Sequence, residues 1–313
     1  MKPLRLLLVA AALAVSAAQA SAADKVTVLL DWFVNPDHAP LVVAKEGGFF
    51  EKHGLDVELI APADPSAPPR LVAAGQADIA VTYQPDMMLQ VKEGLPLTRI
   101  GTLVETPLNC LIALKDGPIQ KLEDLKGKKI GYSVASLQNA YIDSILASVG
   151  LTSKDVELVN VNFNLSTALM SGQVDAVIDG YRNFELTQLA IEGKAGRAWF
   201  PEEHGVPPYD ELIYVTRNEL RADPRMARFI AAVEDATIFL TNHPDEALAM
   251  FLKAHPDLDD ELNRKAFADT LPRFAKRPAA LDPGRYDRFA AYLKERGLID
   301  TLPPVESYAI APR

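Results

Sequence analysis

Cysteine, tryptophan and histidine are scarce in this chain, and their scarcity excludes several kinds of site. The 313 residues include one cysteine, two tryptophans and five histidines. The single cysteine, Cys110, cannot form an internal disulfide and excludes a cysteine-rich metal site. Four histidines show no metal-ligand spacing with each other or with acidic residues: His53, His204, His243 and His255. We therefore expect neither a disulfide framework nor a bound metal.

Positive charge is also limited, and the signature loops of several enzyme classes are missing. Lys and Arg number 32 against 42 Asp and Glu, which gives a formal net charge of −10. Nucleic acids and anionic membranes are bound by clustered Lys and Arg, so neither is an expected partner. The chain has no Gly-x-x-x-x-Gly-Lys-Ser/Thr, Gly-x-Gly-x-x-Gly or Gly-x-Ser-x-Gly motif. We expect a protein that holds a molecule without changing it, and not an enzyme.

The rest of the composition is that of a globular protein. Hydrophobic residues make up 49% and charged residues 24% of the chain, with 23 prolines and 17 glycines. These proportions exclude collagen-like and wholly disordered chains. The length is sufficient for two compact lobes of roughly 100–150 residues each.

The first 23 residues have the three parts of a secretory signal peptide. Lys2 and Arg5 precede the apolar run Leu6–Val15, and small residues follow at Ala18-Gln19-Ala20. The apolar run is shorter than the roughly 20 residues that span a membrane. No cysteine stands at the cleavage point, so a lipid anchor is not expected. The sequence predicts a free protein in the periplasm.

Short β-like runs alternate with helical patterns along most of the chain. This alternation predicts an α/β fold with mainly parallel sheets flanked by helices. The predicted strands are Val26–Leu30, Val57–Ile60, Ile79–Val81, Ile100–Val104, Lys129–Ser133, Val156–Val161 and Ala176–Ile178. The predicted helices are Ala39–His53, Met87–Glu93, Asn139–Val149 and Phe184–Glu192, with further helices beginning at Asp223-Pro224 and after Asn242.

Two similar segments indicate two related lobes. Each segment has the pattern of a helix end, a glycine, and an Asp before a short buried strand: Leu71–Val81 and Ala168–Ile178. A Gly-x-x-Asp turn before a strand is also common by itself, so coincidence is a second explanation. Pro107–Leu114 is predicted to cross into the second lobe and Glu211–Thr216 to return. The predicted division is a signal peptide (1–23), a first lobe with the C-terminal helices (24–112 plus 213–313) and a second lobe (113–212).

Polar and aromatic side chains follow four of the predicted strands. In open α/β sheets, ligands bind outside the carboxyl ends of the strands. That rule selects Asp31–His38, Thr82–Asp86, Ser133 and Asp179–Glu185. Aromatic rings interleaved with hydrogen-bonding groups suit a flat heteroaromatic ligand, which needs stacking faces and edge partners.

Each aromatic candidate has a structural interpretation beside the functional one. Trp32 could be a core residue, but its position beside Asp31 and Asn35 favours a binding site. Tyr83 and Tyr181 could pack at a lobe edge, whereas their matching places after the two similar strands favour a shared cleft.

The polar candidates also keep two interpretations. In one interpretation, the Glu185 carboxylate only stabilises the positive end of the helix that starts there. In the other, it accepts a hydrogen bond from an exocyclic amine or a protonated ring nitrogen of a ligand. His38 is either a donor to a ligand or a buried structural histidine. Asp64 starts a segment whose free backbone N–H groups could meet an anionic or acceptor group, unless its prolines only fix a turn.

One long run and two short motifs carry a family resemblance. Val43–Leu59 resembles the signature of ABC-transporter substrate-binding proteins that carry sulfonates, nitrate or thiamine precursors. Two short motifs resemble the subgroup that binds the aminopyrimidine half of thiamine: Leu30–Phe33 with Asn35 and His38, and Gly180–Glu185. That subgroup includes formylaminopyrimidine carriers and yeast-type hydroxymethylpyrimidine synthases. The resemblance extends over about 26–219 and becomes weaker in the C-terminal helices.

The resemblance implies a two-lobe periplasmic-binding-protein type II fold, closed at a hinge of two crossing strands. It implies a monomer without a cofactor that captures an aminopyrimidine by closure and delivers it to an ABC permease driven by a cytosolic ATPase. Within the site, it implies that Trp32 and either Tyr83 or Tyr181 stack on the ring while Glu185 meets its edge. Further implied contacts are Asn35, Asn183 and Ser133.

Two other functions stay open at this point. The yeast-type synthases are cytosolic, use a lysine-bound pyridoxal phosphate and have a cysteine-rich motif that this chain lacks, so synthesis is the weaker alternative. Carriage of another small ligand, such as a riboflavin precursor, a sulfonate or a different heterocycle, is the stronger one, because a stacking pocket needs few changes to accept it.

Overall fold

The computed structural model describes residues 23–312, except for the side chains of residues 136–140. The predicted signal peptide falls on residues 1–22 and Ala23, so nearly all of it lies outside this part of the chain. Between residues 23 and 312, no helix combines the length and the apolar character needed to cross a membrane.

The described chain forms two five-stranded sheets with helices packed around them. The strands are β1 (Asp24–Leu29), β2 (Leu55–Ile60), β3 (Ile79–Thr82), β4 (Leu97–Val104), β5 (Asn109–Leu114), β6 (Lys129–Tyr132), β7 (Glu157–Asn160), β8 (Ala176–Tyr181), β9 (Gly196–Trp199) and β10 (Leu212–Arg217). The first sheet has the order β2-β1-β3-β10-β4, and the second has the order β7-β6-β8-β5-β9. Each sheet is the centre of one lobe.

One strand in each sheet runs against the other four. β10 is antiparallel to both of its neighbours, β3 and β4. β5 is antiparallel to both β8 and β9. Each of these strands is the first that the chain forms after it crosses between lobes. The predicted two-lobe α/β fold is confirmed, with sheets that are mixed through these two strands.

The helices surround both sheets and dominate the C-terminal third. They are α1 (Ala39–Glu46), α2 (Phe49–Lys52), α3 (Pro68–Ala73), α4 (Gln84–Lys92), α5 (Ala135–Ala147), α6 (Leu165–Met170), α7 (Glu185–Ile191), α8 (Pro224–Asn242), α9 (Pro244–Ala254), α10 (Glu261–Thr270), α11 (Pro283–Glu295) and α12 (Val305–Tyr308). Short 3-10 helices occur at Pro36–His38, Leu122–Leu125, Ser153–Asp155, Pro201–His204, Asn218–Leu220, Pro256–Leu258 and Leu271–Arg273.

Local sequence explains where several helices begin and end. The Asp223 side chain accepts a hydrogen bond from the backbone of Arg225, which satisfies one free N–H in the first turn of α8. The single helix predicted over Ala39–His53 is in fact two, because Gly47 ends α1 and Gly48 has a φ of 71°. Glycine adopts this left-handed backbone at little cost, so the chain turns there.

The chain crosses between the sheets in two irregular segments, residues 105–108 and 205–211. The strand β5 lies wholly in the second sheet, so the crossing precedes the predicted boundary at residue 112. The second boundary, at residue 212, coincides with the start of β10. Pro107, Pro207 and Pro208 lack an N–H group, and this favours irregular backbone over the expected pair of crossing strands.

The two similar segments occupy equivalent places in the two sheets. Asp78, before β3, accepts a hydrogen bond from the N–H of Thr27 at 3.0 Å. Asp175, before β8, accepts one from the N–H of Lys129 at 2.9 Å. In both lobes this carboxylate therefore ties the third strand of the sheet to its neighbour, so the resemblance between the segments is structural.

Candidate functional site

A cavity lies between the two lobes at the predicted strand ends. The first lobe contributes Asp31, Trp32, Asn35, Asp37 and Tyr83, and the second contributes Asn109, Val134, Asp179, Tyr181, Phe184 and Glu185. Most of these residues follow β1, β3, β6 or β8, whose carboxyl ends meet at this cleft.

Asp31 is held in place by two neighbours in the first lobe. His38 Nε2 lies 2.9 Å from Asp31 Oδ1, and the Tyr83 hydroxyl donates to Asp31 Oδ2 at 3.0 Å. Because His38 Nδ1 accepts from the N–H of Asn35, the hydrogen is on Nε2 and is donated to Asp31. Burial and the Asp31 carboxylate keep the pKa of Tyr83 well above its usual value. His38 is fully buried and positions Asp31 without lining the cavity.

An aromatic wall joins the lobes on one side of the cavity. The ring of Trp32 meets Phe163 edge-on at a centroid distance of 4.7 Å and lies 5.6 Å from Phe33. Phe33 in turn lies 6.0 Å from Phe184. Trp32 follows a strand of the first lobe, yet it packs into an apolar cluster made otherwise of second-lobe residues such as Cys110. Its indole therefore connects the two lobes beside the cavity.

Glu185 is a buried carboxyl at the start of α7 and lines the cavity. Its Oε2 accepts a hydrogen bond from the N–H of Tyr181 at 2.7 Å. Burial nevertheless raises the pKa of Glu185 to about 7, with the nearby carboxyls of Asp37 and Asp179 adding to the shift. Near neutral pH this group exists both with and without its proton.

A direct hydrogen bond connects the lobes at Asp37. The Asn183 amide donates to Asp37 Oδ1 at 2.6 Å, and the hydroxyl of Thr270 donates to the same oxygen at 2.7 Å. Burial raises the pKa of Asp37 to about 6, against the lowering effect of these bonds. Asn183, predicted to touch the ligand, does not line the cavity and instead holds the lobes together.

Asp179 organises the second-lobe wall. Its Oδ2 accepts from the N–H groups of Ser133 and Val134, each at 3.0 Å, and its Oδ1 accepts from the Asn109 amide at 3.2 Å. Burial raises the pKa of Asp179. The hydroxyl of Ser133 donates to the carbonyl of Asn162. Ser133 therefore supports the wall through its backbone and is not among the residues that line the cavity.

Glu211 ties the two crossing segments together below the cavity. It accepts from the N–H of Leu108 in the first crossing and from the Tyr209 hydroxyl at 3.1 Å in the second. It also accepts from the N–H of Asn109, the first residue of β5, at 3.0 Å. The hydroxyl of Tyr181 reaches its other oxygen at 3.3 Å. Burial raises the pKa of Glu211 to about 7. The hinge and the cavity wall thus share one carboxyl group.

Asp64 lies apart from the other predicted site residues. It is exposed, its Oδ1 accepts from the N–H of Ser66 at 2.8 Å, and it does not line the cavity. The interpretation that fits this geometry is the alternative one, in which the segment fixes a turn before α3.

Five cavity residues were not among the predicted site residues: Asp37, Asn109, Val134, Asp179 and Phe184. Asp37, Asp179 and Phe184 lie inside segments that the strand-end rule selected, so position alone could have indicated them. Asn109 gave no such signal, because it begins an antiparallel strand and reaches the cleft from the opposite direction.

The cavity wall is acidic. It carries the carboxyl groups of Asp31, Asp37, Asp179 and Glu185, and none of the lining residues is Lys, Arg or His. Among residues 23–312, no group of three or more His, Cys, Asp or Glu is arranged to hold a metal ion. The wall therefore offers hydrogen-bond acceptors and aromatic faces to an occupant.

Comparison with solved structures defines the class of fold. The alkanesulfonate-binding protein SsuA from Xanthomonas axonopodis pv. citri superposes with a TM-score of 0.73 at 16% identity, covering 91% of this chain and 97% of that one. The chain thus has the periplasmic-binding-protein fold. It belongs to the NMT1/THI5-like family, whose model matches residues 35–247.

Relatives within the family have names of two kinds. A putative thiamine biosynthesis protein of Haemophilus influenzae is 49% identical over 92% of each chain. The formylaminopyrimidine-binding protein of Halalkalibacterium halodurans is 32% identical over 82% of this chain and 78% of its own. A Legionella pneumophila protein, 28% identical over 90% of each chain, is named 4-amino-5-hydroxymethyl-2-methylpyrimidine phosphate synthase.

Proposed function

We propose that this protein is the periplasmic binding component of an ABC importer for a thiamine-related aminopyrimidine of the formylamino or hydroxymethyl type. The mature chain begins after residue 23, and the closed form docks on a membrane permease whose cytosolic ATPase drives import. Its relatives named for thiamine biosynthesis and for formylaminopyrimidine binding support this ligand class.

The observation that carries the proposal is the pairing of a protonatable carboxyl with an aromatic wall in one buried cavity. An aminopyrimidine presents an exocyclic N–H donor beside a ring-nitrogen acceptor. The carboxyl of Glu185, whose pKa is about 7, can donate its proton to the ring nitrogen while accepting from the amine. The rings of Trp32, Tyr181 and Phe184 line the same cavity and offer faces for stacking.

Contacts from both lobes explain capture by closure. The ligand shifts the equilibrium toward the closed form only as far as it binds that form better than the open one. Trp32 from the first lobe and Glu185 from the second line the same cavity. The Asn183–Asp37 hydrogen bond adds a protein–protein contact across the cleft. Each lobe alone would offer only part of this site.

The charge of the cavity argues against a sulfonate. An anion entering the cavity would meet four carboxyl groups and no lining Lys, Arg or His. Like charges in a poorly solvated site repel strongly, so ionised carboxyl groups here disfavour an anionic ligand.

The wall also favours binding over pyrimidine synthesis. The family resemblance gives the synthases a lysine-bound pyridoxal phosphate, whereas no residue that lines this cavity is a lysine. Incubation with pyridoxal phosphate should give neither a lysine-linked absorbance band nor a pyrimidine product. Either one would overturn the binding-only proposal.

Calorimetric titration of the exported chain should rank its ligands. We expect formylaminopyrimidine or hydroxymethylpyrimidine to bind with a Kd of about 1 μM or lower, which corresponds to about −8 kcal/mol. Taurine should bind at least about a hundredfold more weakly, because its sulfonate faces the acidic wall. Riboflavin tests the alternative of a larger ring. Taurine or riboflavin binding more tightly than both pyrimidines would contradict the proposal.

Affinity for the aminopyrimidine should fall as the pH rises above about 7. The bound pair shares one proton between Glu185 and the ring nitrogen, and free Glu185 loses that proton with a pKa of about 7. Above this pH, binding must take up a proton, so Kd should rise by up to about tenfold per pH unit. Asp37, with a pKa of about 6, is already ionised there.

The variant Glu185→Gln isolates this effect. A glutamine amide keeps one donor and one acceptor, so the variant should bind at neutral pH and lose the pH dependence. Glu211 has a similar pKa of about 7 and remains in the variant. Any pH dependence that comes from the hinge would therefore still be seen in Glu185→Gln. Affinity that rises above pH 7 in the wild type, or an unchanged slope in the variant, would refute the shared proton.

A further inference from the structure

Two successive backbone N–H groups, those of Ser133 and Val134, lie directly before helix α5, and Val134 lines the cavity wall. Successive backbone N–H groups in such a turn form a concave site that commonly binds anions. Here the place is already taken, because the Asp179 carboxylate accepts from the N–H groups of both Ser133 and Val134 at 3.0 Å. The protein supplies its own anion at this position.

The backbone of Asp179 has an unusual conformation. Its φ is 68°, and among residues 23–312 only Asn162 is also a non-glycine residue with positive φ. Aspartate reaches this left-handed region more readily than most residues, but glycine does so at lower cost. The conformation is kept while the side chain makes three hydrogen bonds at the cavity wall.

Asn109 is a second, independent feature of the same wall. Its side chain is 1% exposed and lines the cavity, and its amide N–H is donated to Asp179. The amide oxygen, Oδ1, is buried without any hydrogen-bond partner. A buried acceptor left unpaired is costly, so an occupant that brings a donor to this oxygen is favoured.

We propose that Asp179 sets the charge selectivity of the cavity: it occupies the two backbone N–H groups that precede α5 and orients Asn109 to accept a hydrogen bond from the ligand. This inference rests on the proposed function and extends it to the ligand class. The site accepts neutral aminopyrimidines with N–H or O–H donors, and it rejects sulfonates and the phosphate esters of the same pyrimidines.

Asp179→Gly is the decisive variant. It removes the internal carboxylate, frees the two N–H groups and places glycine where φ is positive. Binding of methanesulfonate and of hydroxymethylpyrimidine phosphate should strengthen by on the order of tenfold to a hundredfold, as expected when charge-assisted hydrogen bonds become available. Binding of neutral hydroxymethylpyrimidine should weaken, because Asn109 loses its support.

Three further variants separate selectivity from folding. Asp179→Asn keeps an acceptor and the left-handed backbone, so it should fold even where Asp179→Gly does not. Its affinity for anions should lie between those of the wild type and of Asp179→Gly. Asn109→Ala should weaken neutral-ligand binding by about tenfold without any gain for anions. Asp175→Asn alters a carboxylate that accepts one backbone N–H outside the cavity, and it should change neither ligand preference.

The methanesulfonate arm keeps this inference distinct from the proposed function. If no aminopyrimidine binds to the wild type, the proposed ligand is wrong, yet a gain of methanesulfonate binding in Asp179→Gly still supports the role of Asp179. If the wild type binds the phosphate ester as tightly as the neutral pyrimidine, or if folded Asp179→Gly and Asp179→Asn leave the anion preference unchanged, the inference is overturned.

Discussion

Replacing Trp32 by alanine should lower aminopyrimidine affinity by on the order of 100- to 1,000-fold. The indole is 9% exposed, lines the cavity and contacts Phe163 of the second lobe at 4.7 Å. In the proposed complex, its loss removes both a stacking face for the ligand and an apolar contact that favours the closed form. Both effects act on the bound, closed state, so they add in the measured Kd.

Two matched variants test that explanation by calorimetry. Trp32→Phe keeps a ring at the wall, so its loss of affinity should be about tenfold at most. Trp199→Phe alters the other tryptophan, which lies on β9 and does not line the cavity, and it should leave the Kd within about twofold. If Trp32→Ala binds the aminopyrimidine with a Kd within threefold of the wild-type value, Trp32 is not part of the binding site.

The site was predictable from sequence wherever it follows the carboxyl ends of parallel strands. Asp31, Trp32 and Asn35 follow β1, Tyr83 follows β3, and all of them line the cavity. A short apolar strand followed by polar and aromatic residues is a local pattern, so it can be recognised without knowing how the sheets are arranged. Their contact with a ligand stays a prediction.

The exact role of a residue depends on distant contacts, and these were not predictable. His38 and Asn183 lie in the predicted segments, but His38 orients Asp31 and Asn183 bonds to Asp37. Thr270 completes that bond from a helix 233 positions further along the chain than Asp37. No local pattern indicates where such a helix packs, because its position results from burial of its apolar face against both lobes.

Topology explains why Asn109 was missed. Asn109 belongs to a run that sequence marked as a crossing, and the run gave no indication that it would join the second sheet antiparallel to β8. Antiparallel pairing brings the beginning of a strand to the edge where parallel strands end. The residue with an unpaired amide oxygen in the cavity was therefore missed by a rule that looks only at strand ends.

Replacing Arg99 by methionine should destabilise the protein by about 1–3 kcal/mol. Arg99 lies on β4 and is fully buried. Its guanidinium donates to the carbonyl oxygens of Ile310, Pro278 and Ala280 at 3.0, 3.1 and 2.6 Å. It also donates to the Thr102 hydroxyl at 2.7 Å. Methionine fills a similar volume but donates nothing, so the carbonyls of Ile310 and Ala280 would lose this donor. The Pro278 carbonyl would keep its hydrogen bond from the N–H of Thr102.

Urea denaturation of the ligand-free chain measures this effect, and Arg264→Met is the matched control. Arg264 pairs with Asp259 on the surface, with about half of each side chain exposed, so its replacement should cost less than about 0.5 kcal/mol. Arg99 holds residues 278–280 and Ile310 against the first sheet. A loss of stability in Arg99→Met no larger than in Arg264→Met would show that the C-terminal segment is held by apolar packing alone.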